Sequence, residues 1–254
     1  MRKVILLLAA VITTTLLAKP VKGNLGGEGT KYSGAKGNSP TDYIQDGLIA
    51  MWDGEYNAVD ADGKPYHDAQ ATVWTPLKGD WVLTLYPNSV WGAKSLNGSG
   101  PYRMALAVAS PPLQSLEMCF KTESSAVQFA YMHLGRRNCI GVSNTDVGVG
   151  LREGKSLGYS AVGQLLTVSA IYGGTNDVDN VAAIAYANGV ELTKPGTTGA
   201  NWSAPSGRNI ILGGAYAEGD RCFNGSIYCI RMYNRELTAA EVSHNLKIDQ
   251  ERFK

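Results

Sequence analysis

Phe223-Asn224-Gly225-Ser226-Ile227-Tyr228-Cys229-Ile230-Arg231-Met232-Tyr233-Asn234-Arg235-Glu236-Leu237-Thr238-Ala239-Ala240-Glu241 is the stretch whose reading decides the fold. Its first half, Gly225 to Tyr233, is rich in β-branched and aromatic side chains, lacks proline and is bounded by Asn-Gly and Asn-Arg, which makes it a strand. Ile227 has the wrong parity to share a face with Ile230 and Met232, because strand side chains alternate. A bulge near Tyr228 or Cys229, or burial on both faces, would resolve the conflict.

The second half opens a helix. Thr238-Ala239-Ala240-Glu241 is a capping box, in which the Thr238 hydroxyl accepts from the Glu241 amide and the Glu241 carboxylate accepts from the Thr238 amide. Leu237 before the cap and Val242 after it form a hydrophobic staple, and Val242, Leu246 and Phe253 then fall on one face. A helix docked against a sheet is the expected end of the chain.

Upstream, short apolar or alternating runs separated by Gly, Asn, Asp and Pro clusters begin at Tyr43. They predict strands over 47–52, 72–77, 81–86, 102–108, 116–121, 126–134, 137–142, 147–152, 165–171, 181–187 and 209–212 in addition to 225–233. So many strands must close into a sandwich or barrel to cover their apolar faces. Asn188-Gly189 between Ala187 and Val190 supplies two positive-φ residues for a tight hairpin.

These residues also carry a resemblance. Phe223 to Ile227, Ile230 to Thr238 and Glu241 closely resemble the closing strand and helix of prokaryotic concanavalin-A/laminin-G-like domains. Tyr43-Ile44-Gln45-Asp46-Gly47-Leu48-Ile49-Ala50 with Trp52-Asp53-Gly54 resembles the opening strand of that family. Trp74-Thr75-Pro76-Leu77-Lys78-Gly79 is similar to its W-x-x-L-x-G segment, and Ala185-Tyr186-Ala187-Asn188-Gly189 to its strand-to-turn element. The resemblance implies an all-β, antiparallel jelly-roll β-sandwich with one C-terminal α-helix. It implies a secreted, surface or phage-encoded protein that recognises glycans or serves as an adhesive or structural part. The family also contains glycoside hydrolases, and a fold does not fix a function.

At the other end, Arg2 and Lys3 precede an apolar or hydroxyl run from Val4 to Ala18, after which polarity returns at Lys19. That is the layout of a secretory signal peptide, and the run is shorter than the roughly 20 residues that span a bilayer as a helix. The expected organisation is a leader over 1–18, a flexible linker rich in Gly, Lys, Asn and Ser over 19–41, and one domain over 42–254. Export to the periplasm, the cell surface or the medium follows from the leader.

The chain holds 23 Lys+Arg against 22 Asp+Glu, and losing Arg2 and Lys3 with the leader leaves 21 against 22. So balanced a charge excludes capture of nucleic acid or of an anionic membrane surface as the main role. With 44% hydrophobic and 18% charged residues the chain is neither disordered nor membrane-embedded. Cys119, Cys139, Cys222 and Cys229 match no zinc-ligand spacing, and His67, His133 and His244 are scattered. In an oxidising compartment the cysteines could pair in three ways, among which spacing does not choose; the alternative is that they are small buried hydrophobes.

Retaining glycoside hydrolysis needs two carboxylates about 5–5.5 Å apart, and the hydrolase pattern E-x-D-x-x-E does not occur. Glu117 and Glu123 are read as solvent-facing strand residues. No G-x-S-x-G is present. A cation site is conceivable at Asn176-Asp177-Val178-Asp179-Asn180, where Asp177, Asp179 and Asn180 bring alternating oxygen ligands of the kind calcium takes; an ordinary Asn/Asp-rich turn explains the same residues. Sugar recognition stacks a ring on an exposed aromatic. Trp91, Trp202 and Tyr216 are predicted in loops, where binding residues concentrate, whereas Trp52, Trp74 and Trp81 are predicted in strands and in the core. The expected function is therefore non-catalytic, lectin-like carbohydrate binding. The alternative is a structural or adhesive surface or fibre component that binds a surface protein, with a glycoside hydrolase third.

Overall fold

The computed structural model describes residues 38–99, 103–107, 113–124, 128–133, 139–142, 147–149, 155–156, 162–171, 184–192, 209–214 and 222–254. The described strands are, in order, β1 (Leu48–Asp53), β2 (Ala58–Val59), β3 (Pro65–Tyr66), β4 (Val73–Trp74), β5 (Leu83–Leu85), β6 (Ser89–Trp91), β7 (Leu96–Gly98), β8 (Ala105–Ala107) and β9 (Ser115–Thr122). They continue with β10 (Gln128–His133), β11 (Cys139–Val142), β12 (Val147–Val149), β13 (Lys155–Ser156), β14 (Leu165–Ile171), β15 (Ile184–Ala187), β16 (Val190–Glu191), β17 (Ile210–Leu212) and β18 (Gly225–Tyr233). The chain closes on α1 (Ala239–Arg252). None of the described helices is long and apolar enough to cross a membrane.

Two antiparallel sheets form a sandwich. One runs β16-β15-β14-β9-β18-β7-β6 with β1 also on β18, the other β13-β12-β11-β10-β17-β8-β5-β4, and β2 and β3 pair as a separate ribbon. The strand over 225–233 is at the centre of the first sheet, as its even burial requires. One of its edges pairs with β9 along its length; the other pairs with β7 over Gly225 to Ile227 and with β1 over Cys229 to Tyr233. Tyr228 lies at the hand-over, its carbonyl accepting from the Gly54 amide at 2.7 Å. The register breaks between Ile227 and Cys229, so of the two ways of resolving the parity conflict the bulge is present, and Ile227 reaches the core alongside Ile230 and Met232.

The core lies between the sheets, where Trp52, Phe120, Leu166, Val168, Ile230 and Met232 face Ala105, Ala130, Ile140, Ile210 and Leu212. A second apolar cluster covers the opposite face of the first sheet, with Leu48, Met51, Cys119, Cys229 and Tyr233 beneath Tyr43, Leu237, Val242, Ile248 and Phe253. Central strands β9 and β18 are thus buried on both faces, one by the other sheet and one by α1.

Asn188 (φ 47°) and Gly189 (φ 77°) make the predicted hairpin between β15 and β16. The capping box at Thr238 is formed. Other expectations are adjusted. Short strands β2, β3, β6, β7, β13 and β16 were hidden because two or three residues give no alternation to read. Trp81 precedes β5 instead of lying in it, though it packs on the core. Residues 38–41, expected in the linker, belong to the folded body: Asn38 bonds to Glu251 of α1, Ser39 caps a single turn over Pro40–Asp42, and Pro40 is buried.

Candidate functional site

Of the aromatic residues expected to bind, Trp91 lies among the described residues and Trp202 and Tyr216 lie outside them, as do the candidate calcium ligands Asp177, Asp179 and Asn180. Trp91 stands in strand β6, not in a loop, and is half-buried. Strand β6 is the edge of the first sheet and β4 the edge of the second, and Trp91 joins them. Its indole meets Trp74 of β4 edge-on, with ring centroids 5.2 Å apart, and its N–H donates to the Ala71 carbonyl at 2.9 Å. The His67 ring also meets it edge-on, with centroids 6.2 Å apart. Trp91 therefore closes the sandwich edge while remaining only half-buried.

The densest chemistry lies elsewhere, under α1, and most of it escaped the sequence reading. Glu117, expected to face solvent, is fully buried. The reason is the second covered face: Glu117 alternates with the core residues Leu116 and Met118 and so points at the helix. Arg231 on the neighbouring strand donates from Nε to Glu117 at 3.1 Å and makes a bidentate pair with Asp249 of α1 at 2.8 and 2.8 Å. Glu117 also accepts from Ser169 at 2.8 Å and from Asn245 at 2.6 Å. Asp249 accepts from the Tyr43 hydroxyl at 2.7 Å and the Thr167 hydroxyl at 2.8 Å. One turn on, Arg252 clasps Asp53 of β1 at 2.6 and 3.0 Å and reaches Glu55 at 3.0 Å. The Arg231 guanidinium lies over the Tyr43 ring, 4.1 Å from its centroid.

Burial raises the Glu117 and Asp53 carboxyls above the ordinary carboxylate range, opposed by Arg231 and Arg252 respectively. Burial likewise holds the Tyr43 phenol well above its usual range, so it stays a donor to Asp249. A group so enclosed cannot touch a polysaccharide. What the arrangement does is fix the helix: three carboxylates and two guanidiniums, each with several partners, tolerate one register of α1 on the sheet. A sequence signal existed in Arg231, a charge set among Cys229, Ile230, Met232 and Tyr233, and in Asp249 and Arg252 three apart on α1. Glu123, by contrast, is exposed as expected and pairs with Lys121 at 3.1 Å. Among the described residues no group of three or more His, Cys, Asp and Glu side chains is placed to hold a metal ion.

Comparison with known proteins bears on the fold. A sialidase from Trypanosoma rangeli in complex with sialic acid superposes with a TM-score of 0.57 at 14% identity, over 81% of this chain and 33% of the sialidase. The chain thus spans about a third of the length of that relative, and at this identity the likeness is one of fold. Two looser likenesses, on which nothing is rested, are domain 4 of AbnA, a GH43 extracellular arabinanase from Geobacillus stearothermophilus, in complex with arabinotriose (17% identity, 78% of this chain and 97% of that one, TM-score 0.44), and the CBM40 of a Ruminococcus gnavus sialidase bound to α2,3-sialyllactose (20%, 54% and 84%, TM-score 0.40). No curated protein matches the sequence. Residues 131–243 match the model of the Laminin_G_3 family, described as the concanavalin A-like lectin/glucanases superfamily. The matched stretch holds β18 and the start of α1, and the strands that flank β18, β1 and β9, extend the same sandwich upstream. Over residues 131–243 the chain is thus similar to the laminin-G-like domains of the concanavalin A-like lectin/glucanase superfamily.

Proposed function

We propose that this chain is an exported, non-catalytic carbohydrate-binding module. One observation carries the reading: the carboxylates buried among the described residues, Asp53, Glu117 and Asp249, are committed to Arg231 and Arg252 beneath α1, so they serve the fold and are withheld from chemistry. Recognition then falls to aromatic residues: Trp202 and Tyr216, with a contribution from the half-buried Trp91. The leader pattern over 1–18 supports export. A calcium ion held by Asp177, Asp179 and Asn180 is compatible with this reading and is tested with it.

A second reading, an adhesive or structural component that binds a surface protein, is favoured by the apolar side chains on the sandwich edges. Val90 of β6 is 62% exposed, Val82 before β5 45% and Val73 of β4 36%.

Glycan-array screening of the purified protein with and without calcium, followed by titration of any hit, separates the readings. The expected result is weak binding of a carbohydrate with no reducing sugar released. Trp202→Ala should weaken a hit by at least about 1 kcal/mol, the loss that marks a residue carrying binding energy, with the melting temperature nearly unchanged. Silence across a broad array moves the assignment to the adhesive reading. Release of reducing sugar from a polysaccharide overturns the non-catalytic one. Mass spectrometry of the exported protein should place its first residue near Lys19, and an intact Met1 would remove the cleaved leader.

A further inference from the structure

Cys119 of β9 and Cys229 of β18 are directly opposite one another in the antiparallel register. Opposite residues in such a pair have Cα atoms about 4.5 or about 5.5 Å apart, and both separations fall inside the roughly 4.4–6.8 Å that a disulfide spans. Opposition alone is not enough, since the two side chains must also share a face. The bulge brings this about. Ile227 points into the core, and in a regular strand Cys229 would follow it there; the extra residue at Tyr228 turns Cys229 to the helix-covered face, where Cys119 already lies between Glu117 and Lys121. Both thiols are fully buried in the same apolar cluster and both are free in this structure.

We propose that Cys119 and Cys229 are a disulfide site, oxidised to a cross-strand bond that clasps β9 to β18 as the chain folds in the presence of a small-molecule disulfide oxidant. One cysteine, as thiolate, attacks the oxidant's S–S bond and forms a mixed disulfide, releasing one thiol. The second cysteine, as thiolate, then attacks the protein sulfur of that mixed disulfide and releases the other. The protein loses two protons and two electrons, and the oxidant is reduced to two thiols. The step belongs before α1 docks. In the folded chain the helix covers both sulfurs, and burial pushes both thiols well above the ordinary cysteine range, which removes the nucleophilic form. Cys229 then also accepts a hydrogen bond from Arg231 at 3.3 Å, which gives the reduced sulfur a polar partner.

The bond in the cell rests on the export reading, which supplies the oxidising compartment; the chemistry does not, and is tested in vitro. The full chain is unfolded, reduced and refolded in a buffer of oxidised and reduced glutathione, then alkylated, digested and mapped by mass spectrometry. The expected result is two fewer alkylated cysteines and a linked peptide pair containing Cys119 and Cys229. That pair should be lost in Cys119→Ser and in Cys229→Ser and retained in Cys222→Ser. The same oxidant added to the already folded, reduced chain should form the link far more slowly. Cys119 and Cys229 both alkylated after oxidative refolding, or linked instead to Cys139 or Cys222, overturns the proposal; the wild-type map decides this even if a serine variant fails to fold. An uncleaved leader would remove the export reading while leaving a mapped link intact.

Discussion

Thr238 and Glu241 show how much a single side chain settles. The Thr238 hydroxyl accepts from the Glu241 amide at 3.3 Å and the Glu241 carboxylate accepts from the Thr238 amide at 2.8 Å, while Arg235 grips the same carboxylate at 2.6 and 3.0 Å. Thr238→Ala should therefore destabilise the protein by about 0.5–2 kcal/mol, the usual loss for a capping hydroxyl. Chemical denaturation measures it against an exposed Ser→Ala control, and equality with the control would mean that the cap contributes nothing. The hydrogen bonds from Arg235, with those from Thr238, hold the Glu241 carboxyl down at about 2. An acid whose folded value is depressed contributes stability that is present above its unfolded value and lost as pH falls through the folded one. The stability gap between the wild type and Glu241→Gln should thus be constant near neutrality, shrink as pH drops below the ordinary glutamate range, and largely close toward pH 2. A gap independent of pH would show that the charge on Glu241 is immaterial. Both residues were legible in the sequence because a cap is local, spanning four positions.

At the scale of elements, the docking of α1 was anticipated but its means was not. A staple and an apolar stripe of Val242, Leu246 and Phe253 were expected; the face that is buried also carries Asn245, Asp249 and Arg252. Polar residues on a helix normally mark its solvent side, so periodicity alone assigns them outward. They turn inward here because the sheet beneath presents Glu117, Arg231 and Asp53 as partners, which no local pattern reveals. Removing one member strands the others: Arg231→Met leaves Glu117 and Asp249 buried without their counter-charge and should cost about 3–5 kcal/mol. Replacing Arg231, Glu117 and Asp249 together by apolar residues of similar volume should cost much less than Arg231→Met alone, since desolvation is then removed from both sides. Urea denaturation of the two variants checks the order, and a triple variant less stable than the single one would assign the network a net stabilising role. Gly225, at the start of β18, is fixed by a different contact. A Cβ there would lie 2.1 Å from the Lys121 carbonyl oxygen of β9, so Gly225→Ala must displace one central strand from another. A loss of about 1–3 kcal/mol is expected, as for other overpacked sites, and an unchanged melting temperature would show that β9 yields freely.

Across the whole molecule, the two sheets meet at an edge sealed by Trp91 against Trp74. Because the ring is only half-buried, Trp91→Ala should cost about 1–3 kcal/mol, less than the roughly 3–5 kcal/mol typical of a fully buried aromatic. Thermal melting tests this, and a melting temperature equal to the wild type would free Trp91 to be a binding residue alone. The sequence by itself determined the elements whose cause is local: the alternation that makes strands, the Asn188-Gly189 hairpin, the capping box, and the parity conflict at Ile227, which the structure resolves by a bulge. Only the tertiary structure decided which face each strand buries twice, and hence that Glu117 is an interior ion-pair partner, that Trp91 closes an edge, and that Cys229 is turned to meet Cys119. Those outcomes depend on residues far apart in the chain, 114 apart for Arg231 and Glu117. A side chain's own sequence states what it can bond to; the neighbour that the fold brings within hydrogen-bonding reach decides whether it does.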